Sequence, residues 1–267
     1  MQVLSFDIGG TKIAAAVVNE YGEILGEITK IPTADSVQKI VEDMQAIIKA
    51  HEFDGLAIAT AGVVNNNKIT RKPLNIPHGY EKIDFSAFAD VPYIIENDAN
   101  AAAWYEYKIG AAENCQNAIV LALGTGVGCG IISEGKLLKG KSGAAGECPF
   151  EISGTDLAEL AKAKGISTDC FEIYNSAKLR NPAAMEVYNI WYGRLFEALC
   201  CLNDLFDTQK IVLVGSLAHI TNCEDLQSQI NLASFGEPPI ICKTKGHIYS
   251  ALVGAALLWY DKYKQGA

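Results

Sequence analysis

The run Asp7-Ile8-Gly9-Gly10-Thr11-Lys12 puts a carboxylate, two positions without side chains, a hydroxyl and an ammonium within six residues. Glycines permit positive φ at a turn and let backbone N–H groups approach a bulky anion. A carboxylate beside such a turn can hold a divalent cation, directly or through water, next to a polyphosphate. The other reading is an ordinary hairpin whose Asp caps its own turn. Glu96-Asn97-Asp98 precedes an alanine-rich run of strong helix propensity, residues 99–107. A carboxylate beside helix N-terminal amides is expected to stay ionised at neutral pH, although a plain N-cap is the alternative. Asn75 lies in Pro73-Leu74-Asn75-Ile76-Pro77, whose prolines restrict the backbone. Its amide can donate and accept at once, as a sugar hydroxyl requires, or it can satisfy its own loop.

Apolar runs at 1–5 and 13–18 flank the first glycine pair and make it a strand–turn–strand hairpin. Residues 117–138 repeat the pattern of residues 2–25: strand, glycine turn, strand, polar turn with one glycine, strand. The chain is therefore read as duplicated. Gly124-Thr125-Gly126-Val127-Gly128 is not a dinucleotide fingerprint, because strand and not helix follows it through Cys129 to Ile132, with Gly130 inside. A G-x-x-x-x-G-K-[ST] run is also missing, which excludes a P-loop. Two related glycine hairpins facing one another would grip a nucleotide's phosphates from both sides. That is the arrangement of the α/β, duplicated actin-like and hexokinase-like (ribonuclease H-like) ATPase fold, with two lobes and a central cleft.

The remaining elements follow from periodicity and caps. Asp35 or Ser36 is expected to cap a helix carrying Val37, Ile40, Met44, Ile47 and Ile48 on one stripe. A buried strand over 56–59 leads to Thr60-Ala61-Gly62, at the strand end where open α/β sheets place ligands. Thr155 is read as the cap of a helix that stops at Gly165. Asn181-Pro182 is read as the start of the longest helix, with Tyr188, Trp191, Leu195, Leu199 and Leu202 as its core stripe. A strand over 211–214 ends in Gly215-Ser216. The small residues Gly254-Ala255-Ala256 let a last helix lie close to a neighbour or to an adenosine. The division expected is 1–112 and 113–267, with the last helix packing back on the first lobe.

At 267 residues, 49% hydrophobic and 20% charged, the composition is that of an ordinary globular protein. A formal net charge of −9 disfavours broad contact with nucleic acid or an anionic membrane. No secretory signal opens the chain and no uncharged apolar run reaches about 18 residues, so a cytoplasmic location is expected. The eight cysteines form no C-x-x-C pair and read as buried, reduced thiols.

FDIGGTK, ENDANAAAWYE (96–106), LALGTGVGCGII and GAAGE (143–147) together resemble the ROK family of repressors, open reading frames and sugar kinases. The resemblance implies an ATP- and magnesium-dependent sugar kinase with Asp98 as general base. It also implies sugar contacts from Gly62, Asn75, Asn97, Asp98, Glu147 and, after the expected zinc-loop position, Glu151. Nucleotide contacts would come from Asp7 (also the magnesium residue), Gly9, Gly10, Thr11, Lys12, Gly124, Thr125, Gly126, Val127, Gly128, Gly130, Gly215 and Ser216. A homodimer is implied by the resemblance alone.

Two departures accompany it. Phe150 stands where the family carries a His, and the family's cysteine-rich zinc loop is missing, so no zinc is expected. Within the family, ENDANAAAWYEY, ATAGV and ISEGKLLKG are most similar to bacterial N-acetylmannosamine kinases, whose product feeds sialic-acid breakdown. Glucokinases and other hexose kinases share the motifs. A repressor of this family would carry a helix-turn-helix ahead of the first hairpin, whereas the first strand here is expected from residue 2. A non-catalytic sugar-binding or regulatory protein is the alternative from another class.

Overall fold

Two five-stranded sheets of the same design house the two glycine hairpins. The structure is a computed structural model that describes residues 1–73, 76–246 and 248–264. In the first half, β1 (Val3–Ile8), β2 (Lys12–Val18) and β3 (Ile24–Pro32) form an antiparallel meander. Helix α1 (Val37–Lys49) follows, capped by Ser36, whose Oγ accepts from Lys39 N. Its stripe buries Ile40, Met44, Ile47 and Ile48, each contributing roughly 1.5–3 kcal/mol when fully removed from water. Strand β4 (Gly55–Thr60) runs parallel to β1. The short hairpin β5 (Val63–Asn65) and β6 (Lys68–Arg71) precedes β7 (Tyr93–Asn97), which pairs parallel with β4. Helix α2 (Asp98–Ile109) leaves β7 without a linker.

The second half repeats this plan. Strands β8 (Ala118–Leu123), β9 (Val127–Ser133) and β10 (Lys136–Leu137) form the meander. Helices α3 (Gly154–Ala163), α4 (Cys170–Lys178) and α5 (Pro182–Phe206) follow, then β11 (Lys210–Val214), α6 (Cys223–Ala233) and β12 (Ile240–Lys243). The strand orders are β3-β2-β1-β4-β7 and β10-β9-β8-β11-β12. The duplication read from the hairpins thus extends to whole sheets, each a meander continued by two parallel strands.

Helix α7 (Ser250–Tyr263) returns to the first sheet, where Leu252, Val253, Ala255 and Ala256 share an apolar cluster with Val3, Ala14, Ala57 and Ala59. A Cβ on Gly254 would lie 1.8 Å from Ala101 O. The small residues of α7 therefore serve contact with α2, one of the two options their size allowed.

One cap differs from expectation. Ser153, not Thr155, caps α3: its Oγ accepts from Asp156 N at 3.1 Å, and the Asp156 carboxylate accepts from Ser153 N at 2.8 Å. The reciprocal pair satisfies two N-terminal donors at once, which Thr155 with no acid three residues on cannot do.

Candidate active site

The register of the first sheet gathers the candidate residues at one edge. Ile8, Thr60 and Asn97 are neighbours across the parallel strands β1, β4 and β7, and Asp7, Ala59 and Glu96 form the row before them. Asp98 is the first residue of α2. Burial pushes the Asp7 carboxyl up to about 7; the negative charge of Asp98 adds to the shift and the Lys12 ammonium opposes it. Burial raises Asp98 too, opposed by the Ala99 N–H, which donates to Oδ1 at 2.9 Å, and reinforced by the charge of Glu147. The expectation that helix amides keep Asp98 readily ionised is corrected here, because desolvation outweighs the amide contacts. Asp7, Asp98 and Glu147 thus share one electrostatic neighbourhood.

Asn97 takes the capping role. Its Oδ1 accepts from Asn100 N and its Nδ2 donates to Gly62 O, both at 3.0 Å. Asp98 is therefore not the N-cap. Gly62 adopts φ +100°, and a Cβ there would stand 2.5 Å from Arg71 O, so only glycine fits the turn that presents its carbonyl to Asn97.

Both glycine hairpins have their carbonyls tied back. In the first, Gly9 O accepts from Thr33 Oγ1 at 2.7 Å and Thr11 O from Thr33 N at 3.1 Å. In the second, Gly124 O accepts from Gly154 N at 2.8 Å and Thr125 O from both Thr155 N and Thr155 Oγ1. The N–H groups of Gly9 and Gly124 are engaged as well, donating to Lys12 O and Gly126 O at 3.0 Å, so an approaching anion would meet the other N–H groups of the two turns. Gly9, Gly10, Gly124, Gly126 and Gly128 do not use the positive φ that glycine permits. Gly128 and Gly130 meet α2 instead: a Cβ would stand 2.7 Å from Ala99 Cβ at the first and 2.4 Å from Ala103 Cβ at the second. Val127 opens β9 beside them. Gly215, at φ +90°, and Ser216 are exposed at the end of β11, as Ala61-Gly62 follows β4 in the first half. Lys12 Nζ stands 5.9 Å from the Tyr249 ring centroid, at the start of α7.

Residues 3–149 match the ROK family. The chain belongs to the ROK family. It is 40% identical over 158 residues to a glucokinase of Streptomyces coelicolor, covering 54% of this chain and 47% of that protein. It is 34% identical over 158 residues to an N-acetylmannosamine kinase of Yersinia pseudotuberculosis, covering 56% and 53%. The chain spans about half the length of these curated relatives. The structure of a ROK family glucokinase from Streptomyces griseus in complex with glucose and AMPPNP aligns over 100% of both chains, with a TM-score of 0.80 and 27% identity. The fold of this ROK protein is accordingly hexokinase-like.

The other family positions divide. Glu147 is exposed, with its charge felt at Asp98. Glu151 has another partner: its Oε2 pairs with Arg194 Nη1 of α5 at 3.0 Å, so the described contacts do not bring it to Asp98. Phe150 and Cys148 pack against the apolar core of the second sheet. Asn75 lies outside the described residues. Among the described residues no group of three or more His, Cys, Asp or Glu is arranged to hold a metal ion, and no helix is long and apolar enough to cross a membrane. Asp7 does fit a magnesium site, because two crowded carboxylates at a raised pKa are what a divalent cation would stabilise. Sequence reasoning missed Tyr80 and the Glu96–Lys139 ion pair. Neither has a local signal, since each is made across the fold.

Proposed function

We propose that this ROK protein transfers a phosphoryl group from ATP to the 6-hydroxyl of a hexose-type sugar. The observation that carries the proposal is Asp98, raised by burial beside Asp7 at the carboxyl edge of the first sheet, in a fold with two carbonyl-engaged glycine hairpins. A sugar hydroxyl is a poor nucleophile and the terminal phosphoryl group carries spread negative charge, so the site must orient the one and neutralise the other. Asp98 accepts the hydroxyl proton, and its raised pKa makes it the stronger base. The hairpins at Gly9, Gly10, Thr11 and Lys12 and at Gly124, Thr125 and Gly126 cradle the phosphates, and Gly215-Ser216 faces the adenosine. Asp7 would hold magnesium, which supplies charge neutralisation when bound. Gly62, Asn75, Asn97 and Glu147 hold ring hydroxyls. The lobes are 1–112 and 113–267, and the protein acts as a cytoplasmic homodimer.

N-acetylmannosamine is the first candidate sugar, supported by the motif ENDANAAAWYEY and the Yersinia relative. The higher identity to a glucokinase favours glucose as the second reading. ADP release measured with magnesium-ATP against N-acetylmannosamine, glucose, mannose, fructose and N-acetylglucosamine tests both, with the phosphorylated position read by NMR. Turnover of none of these sinks the kinase reading. Sugar binding without ADP release points to a non-catalytic sugar-binding or regulatory protein.

A further inference from the structure

We infer that Lys139 is a positioning residue: it clasps the 138–147 loop, and Glu147 with it, onto the strand–helix junction that carries Asp98. The inference rests on the sugar-kinase reading for its functional readout. Glu96 is fully buried at the end of β7. Its Oε1 already accepts from Asn97 N and from Asn100 Nδ2, both at 3.0 Å. Oε2 meets Lys139 Nζ in an ion pair and has no hydrogen-bond donor besides among the described residues. A buried carboxylate with one oxygen committed to the junction and the other to a lysine has a single arrangement that satisfies it.

The clasp joins the two halves of the duplication. Lys139 follows β10 of the second sheet, whereas Glu96 belongs to the first. The loop folds on its own root, since Ala145 N donates to Lys139 O at 3.2 Å and Glu147 N donates to Ala144 O at 3.2 Å. It touches the first half again at Gly143, where a Cβ would stand 2.0 Å from Val64 O, and it lies against β9 at Gly146, where a Cβ would stand 1.8 Å from Cys129 O. Both glycines have positive φ, +81° and +96°. Lys139 thus fixes where the loop starts, and the hydrogen bond to Ala145 carries that position to Glu147.

The test compares Lys139→Met, Lys139→Arg and the double variant Glu96→Gln/Lys139→Met of the full chain with wild type. It measures sugar KM (N-acetylmannosamine and glucose), ATP KM, kcat, thermal midpoint and amide hydrogen exchange over 138–147. Lys139→Met is expected to raise sugar KM about tenfold, with a smaller change in kcat and ATP KM, as lost ground-state sugar binding does. Exchange over 138–147 should accelerate, and Lys139→Arg should restore both. The double variant removes the unpaired charge while keeping the Oε1 acceptor, so it should recover the thermal midpoint but leave sugar KM raised. Recovery of sugar KM in the double variant would overturn the inference, because Lys139 would then only compensate a charge; so would Lys139→Met with wild-type KM and wild-type exchange. If wild type turns over no sugar, the kinase reading fails by itself, and exchange in the variants still decides whether the clasp exists.

Discussion

Tyr80 Oη lies 2.8 Å from Thr60 Oγ1, and both side chains are fully buried. Thr60 Oγ1 in turn donates to Ala61 O at 3.1 Å, which makes Tyr80 the donor of the pair and sets the order Tyr80, Thr60, Ala61. Burial, with the charges of Asp98 and Asp7, raises the phenol and keeps it protonated. The hydroxyl therefore braces the turn that ends in Gly62, whose carbonyl receives Asn97.

Replacing Tyr80 by Phe removes that donor and leaves the ring in place. Thr60 keeps its bond to Ala61, so the stability loss should be on the order of 1 kcal/mol by urea unfolding. If the turn positions the sugar, kcat/KM should fall by up to about tenfold, the rate equivalent of 1.4 kcal/mol. An unchanged kcat/KM with the expected stability loss would make Tyr80 a packing residue only.

Asp98→Asn separates base from scaffold. Asn keeps an oxygen for the Ala99 N–H and removes a negative charge next to Asp7, while Asn97 continues to cap α2. The thermal midpoint without ligand should hold or rise. Turnover should fall roughly a hundredfold to ten-thousandfold, the usual cost of losing a general base, with sugar affinity by calorimetry largely kept. Near-wild-type turnover would remove the residue on which the mechanism depends.

Asp7 makes stability depend on pH in a direction opposite to a salt-bridged acid. Its folded pKa, about 7, lies above its ordinary value of 3.8, so the folded state holds the proton more tightly. The contribution to stability is fully present below pH 3.8 and is lost as pH rises through about 7. Asp7→Asn should consequently stabilise the magnesium-free protein at pH 8, on the order of a few kcal/mol at most, and much less at pH 5. The same variant should lose turnover. A stability gain independent of pH would show that the carboxyl does not titrate in this range.

Much of this protein was legible in its sequence because the determinants are local. A glycine pair between apolar runs specifies a hairpin wherever it occurs, and its recurrence announced a duplication that the two sheets carry strand for strand. The stripe of α1 and the Asn181-Pro182 start of α5 are likewise set by neighbours a turn away. Asp98 could be singled out because a strand running straight into a helix puts the intervening residues at the sheet's carboxyl edge. What the tertiary structure alone decided is who partners whom. Glu151 faces Arg194, Gly128 and Gly130 make room for α2, the small residues of α7 lie on α2, and Glu96 waits for a lysine 43 positions on. Such pairings depend on which faces two distant elements present when they stack, and hydrophobic periodicity fixes each element's buried side without fixing its neighbour. The same limit hid Tyr80, an unremarked aromatic until the packing of its loop brought its hydroxyl to Thr60.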